Sequence, residues 1–245
     1  MPVTLEVESN TLVIVGNFNP AIFQPYWFFS QDLIGEDEAQ KAQISVVHPD
    51  ITSFQTESFQ ITVEPERVSL IPLETIGIGI FDLALRLFGD CLPQTPLRAL
   101  GINYLSHFRV SSEKVQNSFG DILAPKEPWG KWGEQLNQPA PKGSQNRISK
   151  ETRAGGLRSI SMTKYGRDDE KKGFTQVKIE PSATYRPGVY VEVNNHFDLE
   201  KPIKGEDNSS IFARLGDVYD SSIEQSKSFV EHFMTTCSII ERDHV

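Results

Sequence analysis

The chain has only two cysteines, no long apolar run and no overall positive charge. Two thiols cannot build a disulfide framework, so Cys91 and Cys237 are interpreted as small core residues in a reducing compartment. No apolar run approaches the roughly 20 residues that a membrane-spanning helix needs. The opening Met-Pro-Val-Thr-Leu-Glu-Val alternates apolar and polar residues, unlike a secretion signal. We therefore expect a cytoplasmic protein without a membrane partner.

The signature motifs of common enzymes are also missing. The sequence has no Gly-x-Ser-x-Gly elbow, no Walker loop and no dinucleotide-binding glycine pattern in a strand-to-helix setting. His48-Pro49-Asp50 and His196-Phe197-Asp198 each pair a histidine with a carboxylate, but two ligands do not fill a zinc site. An exposed histidine beside an aspartate turn is the more ordinary explanation. We assign no catalytic residue, metal or cofactor, and a hydrolase using His196 ranks third among the hypotheses.

Runs of alternating apolar and polar residues predict an antiparallel sheet. In the second half of the chain these runs are Leu97–Val110, Gly156–Tyr165, Phe174–Glu180 and Gly188–Phe197. In the first half, two strands joined at Ser9-Asn10 precede a meander of four, which gives Val3–Glu8, Thr11–Gly16, Ile44–Val47, Ile51–Thr56, Phe59–Val63 and Arg67–Ile71.

Helical spacing of apolar residues predicts two helices that cover this sheet. One is Ile80–Phe88, and the other runs from Ser210 to about Thr236 with a broad apolar stripe over roughly seven turns. Shorter helices are predicted after Asn19-Pro20 and after Ser111-Ser112, because these residues are favourable at helix N-termini. The predicted fold class is α+β.

Two sequence matches indicate an internal duplication. Gln60-Ile-Thr-Val-Glu-Pro65 resembles Gln176-Val-Lys-Ile-Glu-Pro181 at an offset of 116, and Leu12-Val-Ile-Val-Gly16 resembles Leu97-Arg-Ala-Leu-Gly101 at an offset of 85. The offsets differ by 31, which is the length of the segment 124–154. We predict two β-α-β-β-β-α repeats, 1–95 and 96–245, forming one curved antiparallel sheet with helices on one face and an insertion at 124–154. This order resembles the saddle of TATA-binding-protein-like folds.

The inserted segment has the clearest functional character. It contains four prolines, and a stretch of this length without regular structure is normally functional or disordered. Two of the three tryptophans flank Gly130-Lys131, and aromatic anchors beside cations are typical of protein interfaces. The predicted partner-binding residues are Trp129, Trp132, Lys126, Lys131, Arg153 and Arg158. In the alternative, both indoles fold back to fill the edge of the core.

Positive charge is concentrated in one tract, although the whole chain carries −9. Residues 142–186 contain eleven Lys or Arg and five acidic residues, so the tract is +6 and the remainder is −15. The acidic total argues against a protein that coats nucleic acid, because such binding needs cations that displace counterions. The tract leaves a second hypothesis open, in which the concave sheet with Arg158, Lys164 and Lys178 binds or processes RNA or DNA.

Three segments carry a family resemblance: Arg98-Ala-Leu-Gly-Ile-Asn-Tyr-Leu-Ser-His-Phe108, Val191-Glu-Val-Asn-Asn-His-Phe197 and Phe229-Val-Glu-His-Phe-Met-Thr235. They resemble a sporadically distributed family of uncharacterised bacterial proteins of similar length. The resemblance covers most of the chain and implies a bacterial cytosolic protein from a mobile or defence-associated locus. It supplies no catalytic residue.

The sequence therefore favours a non-catalytic interaction subunit over an enzyme. We expect it to dock on a larger protein subunit of a bacterial assembly through Trp129, Trp132 and the basic tract. Binding of RNA or DNA is the runner-up.

Overall fold

Nine strands form one antiparallel sheet in the computed structural model of the chain, which describes residues 3–73, 79–139, 158–166, 173–199 and 208–243. In chain order the strands are β1 Thr4–Gly16, β2 Gln43–His48, β3 Ile51–Gln55, β4 Phe59–Glu64, β5 Arg67–Pro72, β6 Leu97–Arg109, β7 Ile160–Tyr165, β8 Gly173–Pro181 and β9 Gly188–Asp198. Their spatial order is β2-β3-β4-β5-β1-β6-β9-β8-β7. The two 13-residue strands, β1 and β6, lie at the centre, and β2 and β7 form the edges.

Helices connect the strands, and the combination confirms the α+β class. They are α1 Pro25–Ser30, α2 Glu36–Lys41, α3 Ile80–Leu85, α4 Glu113–Leu123, α5 Gly130–Leu136 and α6 Asn208–Asp243. A wider π-helical turn, Arg86–Cys91, continues α3, and 3₁₀ turns lie at Pro20–Ile22 and Glu127–Trp129. None of the helices in the described ranges has both the length and the hydrophobicity of a membrane span.

The buried clusters lie on one face of the sheet, here called the covered face. Strand register places Leu12 between Leu70 and Ile102 on this face, and all three are buried. One cluster joins such residues to α1, α3 and the first half of α6. A second cluster, which includes Phe108 and Val191, packs against α4 and the second half of α6. The alternate residues form the opposite surface, here called the open face, where Asn103 and its neighbours on β9 are half-buried.

Hydrogen bonds from short polar side chains position α6 across the sheet. At its start, Asn208 Nδ2 donates to the Thr95 carbonyl at 2.9 Å, and Ser209 Oγ donates to the Gly89 carbonyl at 2.7 Å. Further along, the buried Asn195 on β9 donates to Ser226 Oγ at 3.2 Å. The apolar stripe predicted for this helix is confirmed, and the helix continues seven residues past the predicted end at Thr236 to Asp243.

Predicted local signals are confirmed where they concern helix starts. Asn19 Oδ1 accepts a hydrogen bond from the Ala21 amide at 3.2 Å, and Ser112 Oγ accepts one from Val115 at 3.3 Å. Pro25 begins α1, where a missing amide hydrogen costs nothing.

Three details of the prediction are wrong. Ser9-Asn10 is no turn, because β1 pairs with β6 along its whole length and this ladder outweighs the local turn signal. The first half has the four strands of the predicted meander after its helices, which is one more than the β-α-β-β-β-α formula contains. Residues 127–136 are helical, so the segment 124–154 is not irregular at its start, and its part from residue 140 onward lies outside the described residues.

Candidate protein-interaction site

Trp129 and Trp132 lie side by side on the surface and are called here the tryptophan pair. Their ring centroids are 5.4 Å apart and their planes are inclined by 56°. The two residues are 60% and 55% exposed, respectively. The indoles therefore do not fill the edge of the core, and they form one continuous aromatic surface.

Two glycines shape the short arm that carries this pair. Gly130 has φ +55°, a left-handed conformation that favours glycine, and it joins the Glu127–Trp129 turn to α5. A Cβ on Gly133 would lie 2.2 Å from the Lys126 carbonyl oxygen, so α5 approaches that backbone too closely for any other residue. The motif Trp-Gly-Lys-Trp-Gly thus places both indoles on one side of a tight helical arm.

Lys126 connects the arm to α4. It is buried, and its Nζ forms an ion pair with Asp121 Oδ1 on α4. It lines a small cleft with Phe119, Ile179 and Val189, where α4 meets β8 and β9. The sequence predicted Lys126 as a partner-binding residue, and the structure shows its side chain buried and paired with Asp121.

The remaining predicted partner-binding residues are spread out. Lys131, which lies between Trp129 and Trp132 in the sequence, is exposed, and so are Glu127 and Glu134. Arg158 is exposed just before β7, whereas Arg153 lies outside the described residues, as do seven of the eleven Lys and Arg residues of the basic tract in all. The described part of the arm therefore presents an aromatic surface beside charges of both signs, and positive charge is not in excess there.

The three residues of the nucleic-acid hypothesis do not share a face. Lys178 lies on the open face opposite Ser161 and Glu192. Its Nζ is 3.1 Å from Glu180 Oε1, and this hydrogen bond is the main cause of the lowered pKa of Glu180. Lys164 pairs with Thr175 in register, which puts it on the side of the covered face.

The histidine–aspartate pairs are local contacts. His196 Nε2 lies 3.2 Å from Asp198 Oδ1, and its ring stacks on Phe174 with centroids 4.7 Å apart. His48 Nδ1 accepts a hydrogen bond from the Asp50 amide at 3.2 Å. Among the described residues, no three His, Cys, Asp or Glu side chains are grouped to hold a metal ion.

Both cysteines lie in surroundings that disfavour a thiolate. Burial, with a smaller contribution from Glu241, raises the pKa of Cys237 to about 12. Burial, with a smaller contribution from Asp90, also raises the pKa of the half-buried Cys91. A nucleophilic cysteine needs a lowered pKa, so these thiols act in packing.

A cleft of about 350 Å³ between β1, the end of β5 and α6 was not predicted. Tyr104 Oη donates to Glu8 Oε2 at 2.7 Å, and Asn10 Nδ2 donates to Tyr219 Oη at 2.9 Å. Lys227 Nζ lies 3.8 Å from the other Glu8 oxygen. Burial raises the pKa of Tyr219 to about 12. Each carboxylate oxygen already faces a protein group, so the contacts tie β1 to α6.

In the part of the chain that the structure describes, the tryptophan pair is thus the exposed feature most typical of a protein-interaction site. No protein-family model matches the chain, and a comparison with curated proteins finds no match.

Proposed function

We propose that the protein is a non-catalytic interaction subunit that docks on a larger protein through the tryptophan pair. The observation that carries this proposal is the exposure of two adjacent indoles, 60% and 55%, on an arm with a buried ionic anchor. Tryptophan is enriched among the residues that dominate binding energy. Covering both rings removes roughly 250 Å² of mostly apolar surface, which favours association by about 6 kcal/mol before its entropic costs.

The chemistry around the pair indicates what the partner presents. The exposed Glu127, Lys131 and Glu134 each lie within two residues of a tryptophan in the sequence, and their mixed charge suits a polar rim and does not select a strongly charged partner. We propose that the partner offers an apolar pocket that takes the indoles. Two reduced cysteines and the family resemblance support the bacterial cytoplasm, within a defence-associated assembly, as the setting.

Co-purification from the native host tests this proposal. The wild-type chain, Trp129→Ala/Trp132→Ala and the control Tyr26→Ala/Tyr165→Ala are tagged and recovered in parallel. The control removes two exposed aromatic residues elsewhere on the surface. One larger protein should be recovered in stoichiometric amount with the wild type and the control, and be lost with the tryptophan variant. Equal recovery with all three chains would refute the docking role of the pair.

Binding of single-stranded RNA or DNA is the second candidate, supported by the open face. Phe174 and His196 stack there, and Tyr165, which pairs with Phe174 in register, is 80% exposed. Bases stack on such platforms. Glu192, opposite Lys178, weakens the attraction for phosphate. Retention on single-stranded oligonucleotides that falls steeply with salt and is lost with Phe174→Ala/Tyr165→Ala would favour this candidate, and salt-independent or absent retention would remove it.

We also propose that the sheet arose by duplication. β4 and β8 carry the matched Gln60–Pro65 and Gln176–Pro181 segments, and each strand is third from the centre on its side of the sheet. Superposition of β1, β5, β4 and β3 on β6, β9, β8 and β7 should align Gln60 with Gln176, and a slip of two residues or more would remove the hypothesis.

A further inference from the structure

The edge strand β2 lacks the features that usually keep sheet edges apart. It pairs with β3 alone among the described strands, and its sequence, Gln-Ile-Ser-Val-Val-His, contains neither proline nor a Lys, Arg, Asp or Glu. Ile44 is 56% exposed and Val47 is 45% exposed. Natural edge strands usually carry charges or proline that block pairing with another chain. An uncharged edge with exposed β-branched residues is typical of a surface that pairs.

A β-bulge gives the residue pattern of this strand an approximate two-fold symmetry. Ile44 lies opposite Phe54, Val46 opposite Ser53 and Val47 opposite Thr52, so the register skips Ser45. Ile44 and Val47 therefore point to the same side of the sheet, although three positions separate them. The paired positions are Gln43, Ile44, Val46, Val47 and His48. On either side of Val46 comes first an aliphatic residue and then a polar one, so the pattern is the same in both directions.

We infer that β2 pairs with β2 of a second copy of this chain, antiparallel, about a two-fold axis at Val46. Ile44 then faces Val47 of the second copy twice on one side of the sheet. On the other side, Gln43 faces His48 of the second copy and Val46 faces its own equivalent. A two-fold axis perpendicular to the sheet keeps each face continuous across the junction, so the two nine-stranded sheets become one.

The self-complementary pattern is what selects a second copy as the occupant. An isologous interface sets each residue against the one that mirrors it about the axis, and in the bulged strand this sets aliphatic against aliphatic and polar against polar side chains at all five positions. No position brings like charges together. A slip of one residue would move the aliphatic side chains to the wrong face.

The size of the contact sets its strength. Five paired positions bury less than a standard interface of about 1,600 Å², so the dimer is weak and forms at high protein concentration. Each copy carries −9, so the two copies repel each other at long range. Added salt screens this repulsion and increases the dimer fraction.

Sedimentation velocity over a hundredfold concentration range tests the inference with two matched variants of the full chain. Ile44→Lys/Val47→Lys places lysine opposite lysine twice, whereas Ile44→Lys/Val47→Glu places lysine opposite glutamate twice. Both change the same exposed positions, and they differ only in the sign of one charge. We expect a concentration-dependent dimer for the wild type, at least about tenfold weaker dimerisation for the first variant, and recovery in the second.

Two further results bear on the inference. Val46→Lys sets a single lysine against its own equivalent and should also weaken the dimer, even if a double variant fails to fold. Trp129→Ala/Trp132→Ala should dimerise like the wild type. A wild type that stays monomeric at every concentration, equal dimerisation of the two charge variants, or a dimer lost with the tryptophans would each overturn the inference.

Discussion

Asn195→Asp tests the packing of α6 on the sheet. Asn195 is fully buried on the covered face, at the centre of a polar network that joins β8, β9 and α6. Its Oδ1 accepts a hydrogen bond from Thr175 Oγ1 at 3.0 Å, and its Nδ2 donates to Ser226 Oγ at 3.2 Å. Ser226 Oγ in turn donates to the Ser222 carbonyl at 2.6 Å. The hydroxyl hydrogen of Ser226 is thus already donated, so its oxygen needs a donor from residue 195. Only an amide at position 195 both supplies this donor and accepts the hydrogen bond from Thr175.

Aspartate keeps the shape of this side chain and removes its donor. At neutral pH the variant buries a negative charge and sets a carboxylate oxygen against Ser226 Oγ. An unsatisfied buried group costs about 1–3 kcal/mol, and an uncompensated buried charge raises the total to about 3–5 kcal/mol. A domain is stable by only about 5–15 kcal/mol, so the loss is a large fraction of the total.

The loss should depend on pH in one direction. Burial raises the pKa of the new carboxyl in the folded state above its unfolded value, so the folded variant prefers the protonated form. Protonation restores a donor towards Ser226 and removes the charge. The stability deficit is therefore largest above the folded pKa and shrinks as the pH falls through it.

Urea unfolding at several pH values measures this effect. Gln176→Glu is the matched control, because it makes the same amide-to-carboxylate change on the half-exposed open face, and it should cost less than about 1 kcal/mol. The reasoning would be refuted by an Asn195→Asp variant that loses less than about 1 kcal/mol, or whose loss does not change with pH.

Three further predictions follow from single sites. Gly133→Ala should weaken partner binding as strongly as loss of the indoles in a titration, while the urea midpoint moves little, because the new Cβ collides with the Lys126 carbonyl and displaces only the arm. Burial lowers the pKa of His107, so the folded state prefers the neutral ring. The free energy of unfolding should therefore fall by less than about 1 kcal/mol as the pH drops below about 6.5. His107→Gln should abolish this pH dependence in urea unfolding. In native protein at pH 8, a chromogenic disulfide should react slowly with Cys91, and with Cys237 only after unfolding; rapid reaction of Cys237 would contradict its burial.

Most elements of the fold could be predicted, because their signals are local. Alternating residues marked the strands on either side of the centre, and Asn19 and Ser112 marked helix starts that the structure confirms. The continuity of β1 through Ser9-Asn10 could not be predicted, because it depends on a ladder with β6, more than 80 residues away in the chain. The order of the strands depends on the same distant pairing.

The sequence indicated the residues of the candidate interaction site but not their arrangement. Two tryptophans near a lysine indicated an interface, but their exposure and their mutual contact are seen only in the folded arm, where Gly133 closely approaches the Lys126 backbone. The burial of Lys126 could not be predicted, since a lysine can bury its stem when a carboxylate receives its charge, and only the structure brings Asp121 to it.

Quenching of tryptophan fluorescence by acrylamide, measured with and without the purified partner, tests the docking role of the tryptophan pair most directly. Trp27, the third tryptophan, is only partly buried, so a Trp27→Phe background isolates the signal of the pair. We predict strong quenching in the free protein and marked protection in the complex, because the proposed docking would bury both indoles. A complex that forms while quenching stays unchanged would contradict the account.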